Sequence, residues 1–386
     1  MTGLRVLITC ETLSARGGTE LYIRDVALSL LRLGHTPIVY TNYPGEVATE
    51  IRNMTIPVVD SLGALAVTPD LIYGQHHLPT MTALQHFADV PAVYVCHDWY
   101  GHNAFAPIFP RILRFVAVDV TCRDRLICED GIEERRVLVL PNSVDINRFE
   151  RRPPLPARPR RALVFGNYTK ENAHLAALRA ACAERGIELD VIGELMNNAV
   201  SSPEEILRNY DLVFAKGRAA LEALAVGAAV IIYSGIRFLG PMVRAEDVER
   251  LIPFNFGIRS MGNSLSPEEL AQRAGHEIDL YDPLDAARAS ALVRAQAGQA
   301  AAMHAIVEMC EGVVEEYAQT KAKFDACTEG PATAAYLVRL QAQHARLLRQ
   351  QQQSMQNSTA AKIHERLSGF PRVAGILRRL ARTLIR

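Results

Sequence analysis

Four short stretches of this 386-residue chain combine residue types and spacings that could do chemistry. In Lys216-Gly217-Arg218-Ala219-Ala220-Leu221-Glu222 a glycine opens a short helix flanked by two cations. A helix start offers free N–H groups and the positive end of the dipole, so it favours phosphate. Glu222, placed in the first turn, is suited to accept hydrogen bonds from ribose hydroxyls. A plain surface charge is the alternative, and its apolar neighbours Leu221 and Leu224 weigh against that.

The second stretch is Arg16-Gly17-Gly18-Thr19-Glu20, between an apolar run and a helical repeat. Adjacent glycines let a ligand approach the backbone closely, again at a helix start. The spacing is not GxGxxG, so a dinucleotide fingerprint is missing, and a simple strand-to-helix turn remains the other reading. In the third, Val95-Cys96-His97-Asp98-Trp99, His97 follows an apolar run, where a cleft-facing polar group lies. A satisfied structural histidine is the alternative. His76 and His77 end an earlier run and are lesser candidates, and no acidic partner stands at metal-ligand spacing. The fourth, Pro141-Asn142-Ser143-Val144-Asp145-Ile146-Asn147-Arg148-Phe149, immediately precedes a change of composition.

These stretches need elements to hold them. Val6 to Ile8, Ile38 to Tyr40, Val58-Val59, Leu71 to Tyr73, Ala92 to Cys96, Phe115 to Val118 and Val137 to Leu140 read as strands. Thr19 to Leu33 has helical periodicity through Leu21, Val26, Leu30 and Leu33, and Gly34 stops it. Continuous apolar strands alternating with helices predict a parallel sheet covered on both faces. Arg151 to Arg161 is rich in proline and arginine and reads as an interdomain linker. Strands then restart at Ala162 to Phe165, Leu189 to Ile192, Leu212 to Ala215 and Ala229 to Tyr233. Helices are expected over Glu171 to Arg185 and Ala219 to Val226. The expected organisation is therefore a first doubly wound domain over 1–150, a linker over 151–161 and a second such domain over 162–330. A helical tail follows over 331–386, with the ligand cleft beyond the carboxyl ends of the strands.

Bulk properties bound the function. Apolar residues make up 49% of the chain, enough for ordinary packed cores, and the formal net charge is zero, so nothing draws the whole chain to nucleic acid. Seven cysteines with no CxxC pair point to buried thiols in a reducing compartment rather than to disulfides or zinc. No leader peptide is expected, because Leu4 to Cys10 already reads as a strand, and no apolar run approaches a bilayer span.

Taken in order, GGTE, PNSVDINRF and LEALAVGAAVI resemble the signatures of the retaining family 4 glycosyltransferases of the GT-B fold, over roughly residues 1–320. The resemblance implies an α/β architecture of two facing Rossmann-like domains. It implies transfer of a sugar from a nucleotide-sugar donor to a hydroxyl acceptor with retention, on a glycan or lipid-linked glycan in polysaccharide biosynthesis. It calls for no metal and no cofactor. Glu222 matches the second glutamate of the family's EX7E motif, Gly17 and Gly18 its glycine loop, and His97 a histidine of the sugar pocket. His97, Lys170 and Glu222 are the expected catalytic residues. Gly17, Gly18, Asn142, Asn167, Lys170, Lys216, Gly217, Arg218 and Glu222 are expected to bind the donor. Two departures stand out: Phe214 occupies the first EX7E position, and Asn167 stands near the family's arginine, leaving Lys170 as the nearby cation. A GT-B epimerase or a non-catalytic sugar-nucleotide-binding module are the rival readings.

The end of the chain carries a separate signal. After Pro371, residues Val373, Ile376, Leu377, Leu380 and Leu384 fall on one helical face and Arg372, Arg378, Arg379, Arg382 and Arg386 around the rest. Such a helix suits an anionic lipid surface. A cytoplasmic enzyme peripheral to the inner face of the membrane is the expectation, with packing onto the body or another subunit as the alternative.

Overall fold

The computed structural model describes residues 3–321 and 326–357. Strands β1 (Arg5–Leu13), β2 (Thr36–Pro44), β3 (Val58–Val59), β4 (Leu71–Gln75), β5 (Ala92–Cys96), β6 (Ile112–Ala117) and β7 (Val137–Val139) form one parallel sheet. Its order is β3-β2-β1-β4-β5-β6-β7. Helices α1 (Gly18–Arg32), α2 (Glu46–Asn53), α3 (His77–His86) and α4 (Val120–Cys128) connect its strands. Every residue of β4 and β5 is buried, which is why Leu71 to Tyr73 and Ala92 to Cys96 are continuously apolar rather than alternating; the buried polar Gln75 ends β4.

The second sheet, ordered β12-β11-β10-β8-β9, holds β8 (Arg161–Phe165), β9 (Glu188–Ile192), β10 (Leu212–Ala215), β11 (Ala229–Tyr233) and β12 (Leu239–Met242). All its pairings are parallel except the edge pair β11–β12. Its helices are α5 (Ala173–Ala183), α6 (Pro203–Leu207), α7 (Gly217–Val226), α8 (Val248–Leu251), α9 (Pro267–Asp279) and α10 (Pro283–Gln296). In both sheets the strand order reverses direction, between β1 and β4 and between β8 and β10. Those reversals open the crevices where ligands bind in doubly wound folds.

The linker is fastened rather than loose. Arg152 donates to the Tyr210 carbonyl (2.8 Å) and pairs with Asp211 (2.9 Å), and Asp211 also accepts from the Arg160 amide. The chain crosses between the sheets a second time beside it. The Val144 amide donates to Ala297 and the Gln299 amide to Val144, both at 2.9 Å, while Arg294 donates to the carbonyls of Ile146 and Phe149. Helix α11 (Gln299–Thr320) then packs on the first sheet, not the second, burying Met303, Ile306, Cys310, Val313 and Tyr317 and pairing Glu316 with Arg114 (2.6 Å). The span 162–330 expected for the second domain thus includes a helix that belongs spatially to the first. Apolar periodicity alone does not say which of two sheets a terminal helix covers.

A separate unit begins after residue 324. Within it, helix α12 (Ala326–Asn357) carries a glutamine-rich run, Gln341 to Gln353, and is largely exposed. The arginine-rich segment after Phe370 lies outside the described residues. Among the described residues no helix is long and apolar enough to cross a membrane. Cys10, Cys96, Cys122, Cys182 and Cys310 are buried free thiols, as expected, but Cys128 is exposed at the end of α4.

Candidate active site in the interdomain cleft

Helices α1 and α7 both start at the cleft, and both lack a side-chain cap. The same is true of α2, α3, α6, α8 and α11, whereas Asp119, Asn172, Ser266 and Asp282 cap α4, α5, α9 and α10. Uncapped helix starts leave N–H donors pointing outward, as an anion site requires. Gly18 has open space where a Cβ would be, so a ligand can come against the backbone there. Gly217 adopts φ +59°, a left-handed conformation that favours glycine, and its own amide is committed to the Phe256 carbonyl (3.2 Å).

Lys216, which leads into α7, is half-buried and makes no ion pair among the described residues. Its ammonium lies over the Tyr168 ring, 5.4 Å from the centroid. Burial lowers its pKa, partly opposed by Asp98 across the cleft. It is a desolvated cation whose charge is not already spent. Arg218, two residues on, is the opposite case. It donates to Glu222 (2.7 Å) one turn along its own helix and to Asp25 of α1 (2.5 Å) across the cleft. Burial disfavours the Arg218 charge, but the two carboxylates more than restore it. Burial raises the Glu222 carboxyl above its ordinary range and Arg218 offsets only part of this; the 2.7 Å contact itself has ion-pair geometry. Asp25 is likewise pushed up by burial, yet Arg218 and Arg24 hold it below the ordinary carboxylate range.

Around this pair, Arg16, Arg24, Arg148, Asn167 and Gly193 line a cavity of about 50 Å³ together with Arg218 and Glu222. Asn167 donates to the Arg16 carbonyl (3.1 Å), and Arg16 and Arg148 both donate to the Ser201 carbonyl (3.1 and 3.3 Å). Arg16 is also paired with Glu50, Arg24 with Glu50 (3.3 Å) and Arg148 with Glu204 (2.8 Å).

On the first sheet, His97 follows β5 and hydrogen-bonds the side-chain oxygen of Gln75, at the end of β4. Its ring meets Tyr22 edge-on at 4.7 Å. Burial, aided by His76, lowers its pKa to about 3, so the imidazole is neutral near pH 7. A neutral ring can position a ligand by hydrogen bonding, but it does not supply a positive charge. His76 has φ +57°, and its Nδ1 accepts from the Glu11 amide (3.3 Å).

The model of Glycosyltransferase Family 4 matches residues 16–148, a span that includes the glycine loop, His97 and Arg148. Over that span the chain is similar to the family's domain. No curated protein sequence matches the chain. Among solved structures, a glycosyltransferase from Rickettsia africae ESF-5 aligns with 81% of this chain and 99% of its own, with a TM-score of 0.59 at 15% identity. Alr3699/HepE of Anabaena, solved in complex with UDP and glucose, aligns with 79% of this chain and 99% of its own, with a TM-score of 0.58 at 18% identity. At these identities the likeness is one of fold, and that fold is the GT-B arrangement of two Rossmann-like domains.

Within this GT-B fold the expected residues separate into groups. Gly17, Gly18, Asn167, Lys216, Gly217, Arg218 and Glu222 gather at the cleft. Glu222 sits in the second turn of α7 rather than the first, because the helix begins at Gly217 instead of Ala219, and it is buried rather than a surface charge. Lys170 is exposed on the loop after β8 and Asn142 half-buried after β7; neither makes a side-chain hydrogen bond among the described residues. Phe214 is fully buried in β10 and meets Tyr233 edge-on, in the cluster packed under α5 and α9. The chain therefore turns the first EX7E position into the core. Sequence reasoning missed Asp25, Arg24 and Gln75 as cleft residues. Arg16 and Arg148 were visible inside quoted motifs, but nothing local marked Asp25, whose partner lies 193 positions away.

Proposed function

We propose that the chain transfers a sugar from a nucleotide-sugar donor to a hydroxyl acceptor with retention at the anomeric carbon. The observation that carries this is the pair of uncapped helix starts, Gly17-Gly18 and Lys216-Gly217, at the carboxyl ends of both sheets with buried Glu222 beside them. In this reading Glu222 holds the donor ribose, and Lys216 with Lys170 neutralises the leaving diphosphate, aided by helix N–H groups. His97, as a neutral ring, orients the sugar. No protein nucleophile or metal is assigned. A uridine diphosphate donor is the first to test, since the Anabaena neighbour was solved with UDP and glucose. The test is calorimetric titration with UDP and with UDP-glucose, followed by donor hydrolysis. Turnover supports the transferase; binding with no turnover under any acceptor supports a non-catalytic module, which the core-facing Phe214 favours as the second reading.

The acceptor in this reading is a glycan or lipid-linked glycan met at an anionic membrane surface through the arginine-rich end of the chain. Sedimentation with anionic vesicles should show binding by the full chain and none by a chain ending at Gly369. Equal binding by both removes the anchor.

A further inference from the structure

The same contacts that define the cleft also close it. A pocket for a nucleotide-sized ligand needs on the order of 300 Å³ or more, and the cavity beside Glu222 has about 50 Å³. Three polar contacts draw the domains together there: Arg218 to Asp25, Asn167 to the Arg16 carbonyl, and Arg16 to the Ser201 carbonyl. Arg148 is not among them, because its neighbours Val144 and Phe149 pack in the core of the second sheet. Of the three, only Arg218 to Asp25 is an ion pair between the two domains at the ribose carboxylate.

The two anions on Arg218 are not equivalent. Glu222 lies on the same helix one turn away and stays with it whether the cleft is open or shut. Asp25 belongs to the other domain and has a second cation of its own, Arg24, which donates to it at 2.8 and 3.0 Å. If Asp25 lets go, its own charge is still matched. Arg218, however, would lose one of the two anions that compensate its burial, which is costly unless another anion takes the place. A phosphate is such an anion, and a guanidinium binds it in the same forked geometry.

We propose that Asp25 is an internal anion that clasps the cleft shut through Arg218, and that a nucleoside diphosphate opens the cleft by replacing Asp25 on that guanidinium. The first half rests on the ion-pair geometry alone; the second rests on the donor reading above. The clasp also sets specificity. A neutral nucleoside offers nothing to replace Asp25, so uridine meets the closed cleft without a means of opening it.

The test compares wild type with Asp25→Asn, which keeps the shape of the side chain and removes its charge. Asp25→Ser runs in parallel in case the amide is poorly accommodated, and thermal melts confirm folding. Without ligand, hydrogen exchange of amides in 16–25 and 217–222 should accelerate by about fivefold or more in the variants as local opening becomes easier. In calorimetry UDP should bind the variants about tenfold more tightly, with uridine gaining less. Asp279→Asn, which breaks an exposed pair with Arg185 away from the cleft, serves as the control and should change neither. Unchanged exchange overturns the clasp whatever UDP does. Faster exchange with equal or weaker UDP binding keeps the clasp and overturns the exchange of Asp25 for phosphate. Faster exchange with no UDP binding by any form removes the donor reading while the clasp stands.

Discussion

The two halves of the cleft start from the same backbone device and differ in how they treat charge. On the first sheet, β1 runs through Gly17 into α1 with no cap, and the nearby titratable ring, His97, is stripped of charge by burial. On the second, β10 runs through Lys216 into α7 with no cap, and charge is retained at high local density on Lys216, Arg218 and Glu222. Helix start and side-chain charge are thus independent variables. The first half offers a ligand backbone donors, a neutral ring at His97 and ions already paired with one another, Arg16 and Arg24 with Glu50 and Arg24 with Asp25; the second offers in Lys216 a cation that no carboxylate has taken. Even within the second half the ions differ, because Arg218 is matched by two carboxylates and Lys216 by none.

That contrast can be broken most forcefully at Arg218. Arg218→Ala leaves Asp25 and Glu222 buried without their shared cation, and removing one partner of a buried pair costs about 3–5 kcal/mol. A denaturant melt should show the loss, and a change below 1 kcal/mol would mean the network is not structural. The next effect is on binding. Glu222→Ala should weaken UDP affinity by an amount worth about 1.5–3 kcal/mol, the value of a hydrogen bond to a charged group; unchanged calorimetric affinity removes the ribose assignment. Lys216→Ala sharpens the difference between neighbouring cations. With no ion pair to break, it should leave the melting temperature nearly unchanged while kcat/KM falls by about tenfold. Coupled losses in both would show that Lys216 is structural instead.

The first half is probed through pH. The folded pKa of His97 is near 3 and its unfolded value is the ordinary one near 6.5. Between those values the unfolded chain binds a proton that the folded chain refuses. Stability therefore rises with pH across that window and falls as the solution is acidified, by up to about 1.4 kcal/mol per pH unit from this group. His97→Asn should flatten that part of the profile; an unaltered slope would assign it to other groups. The smallest effect belongs to the exposed Arg185–Asp279 pair, where Asp279→Asn should cost about 0–1 kcal/mol.

Sequence order by itself determined the alternation of apolar strands and helices, the break at the proline- and arginine-rich linker, and the two glycine-led helix starts. All of these are local: a buried parallel strand must be continuously apolar, a linker with four prolines between 151 and 161 cannot be a strand, and Gly217 answers a left-handed φ at its own position. Glu222 was legible as a carboxylate close to a helix start because its helix and its glycine are adjacent in the chain. What only the tertiary structure decided is which charges meet. Arg218 and Asp25 are far apart in sequence, as are Asn167 and Arg16, and no periodicity within either helix encodes the other's approach. The fate of Phe214 and the docking of α11 on the first sheet are of the same kind. The pattern of a segment states that a face will be buried; the packing of the two sheets states against what.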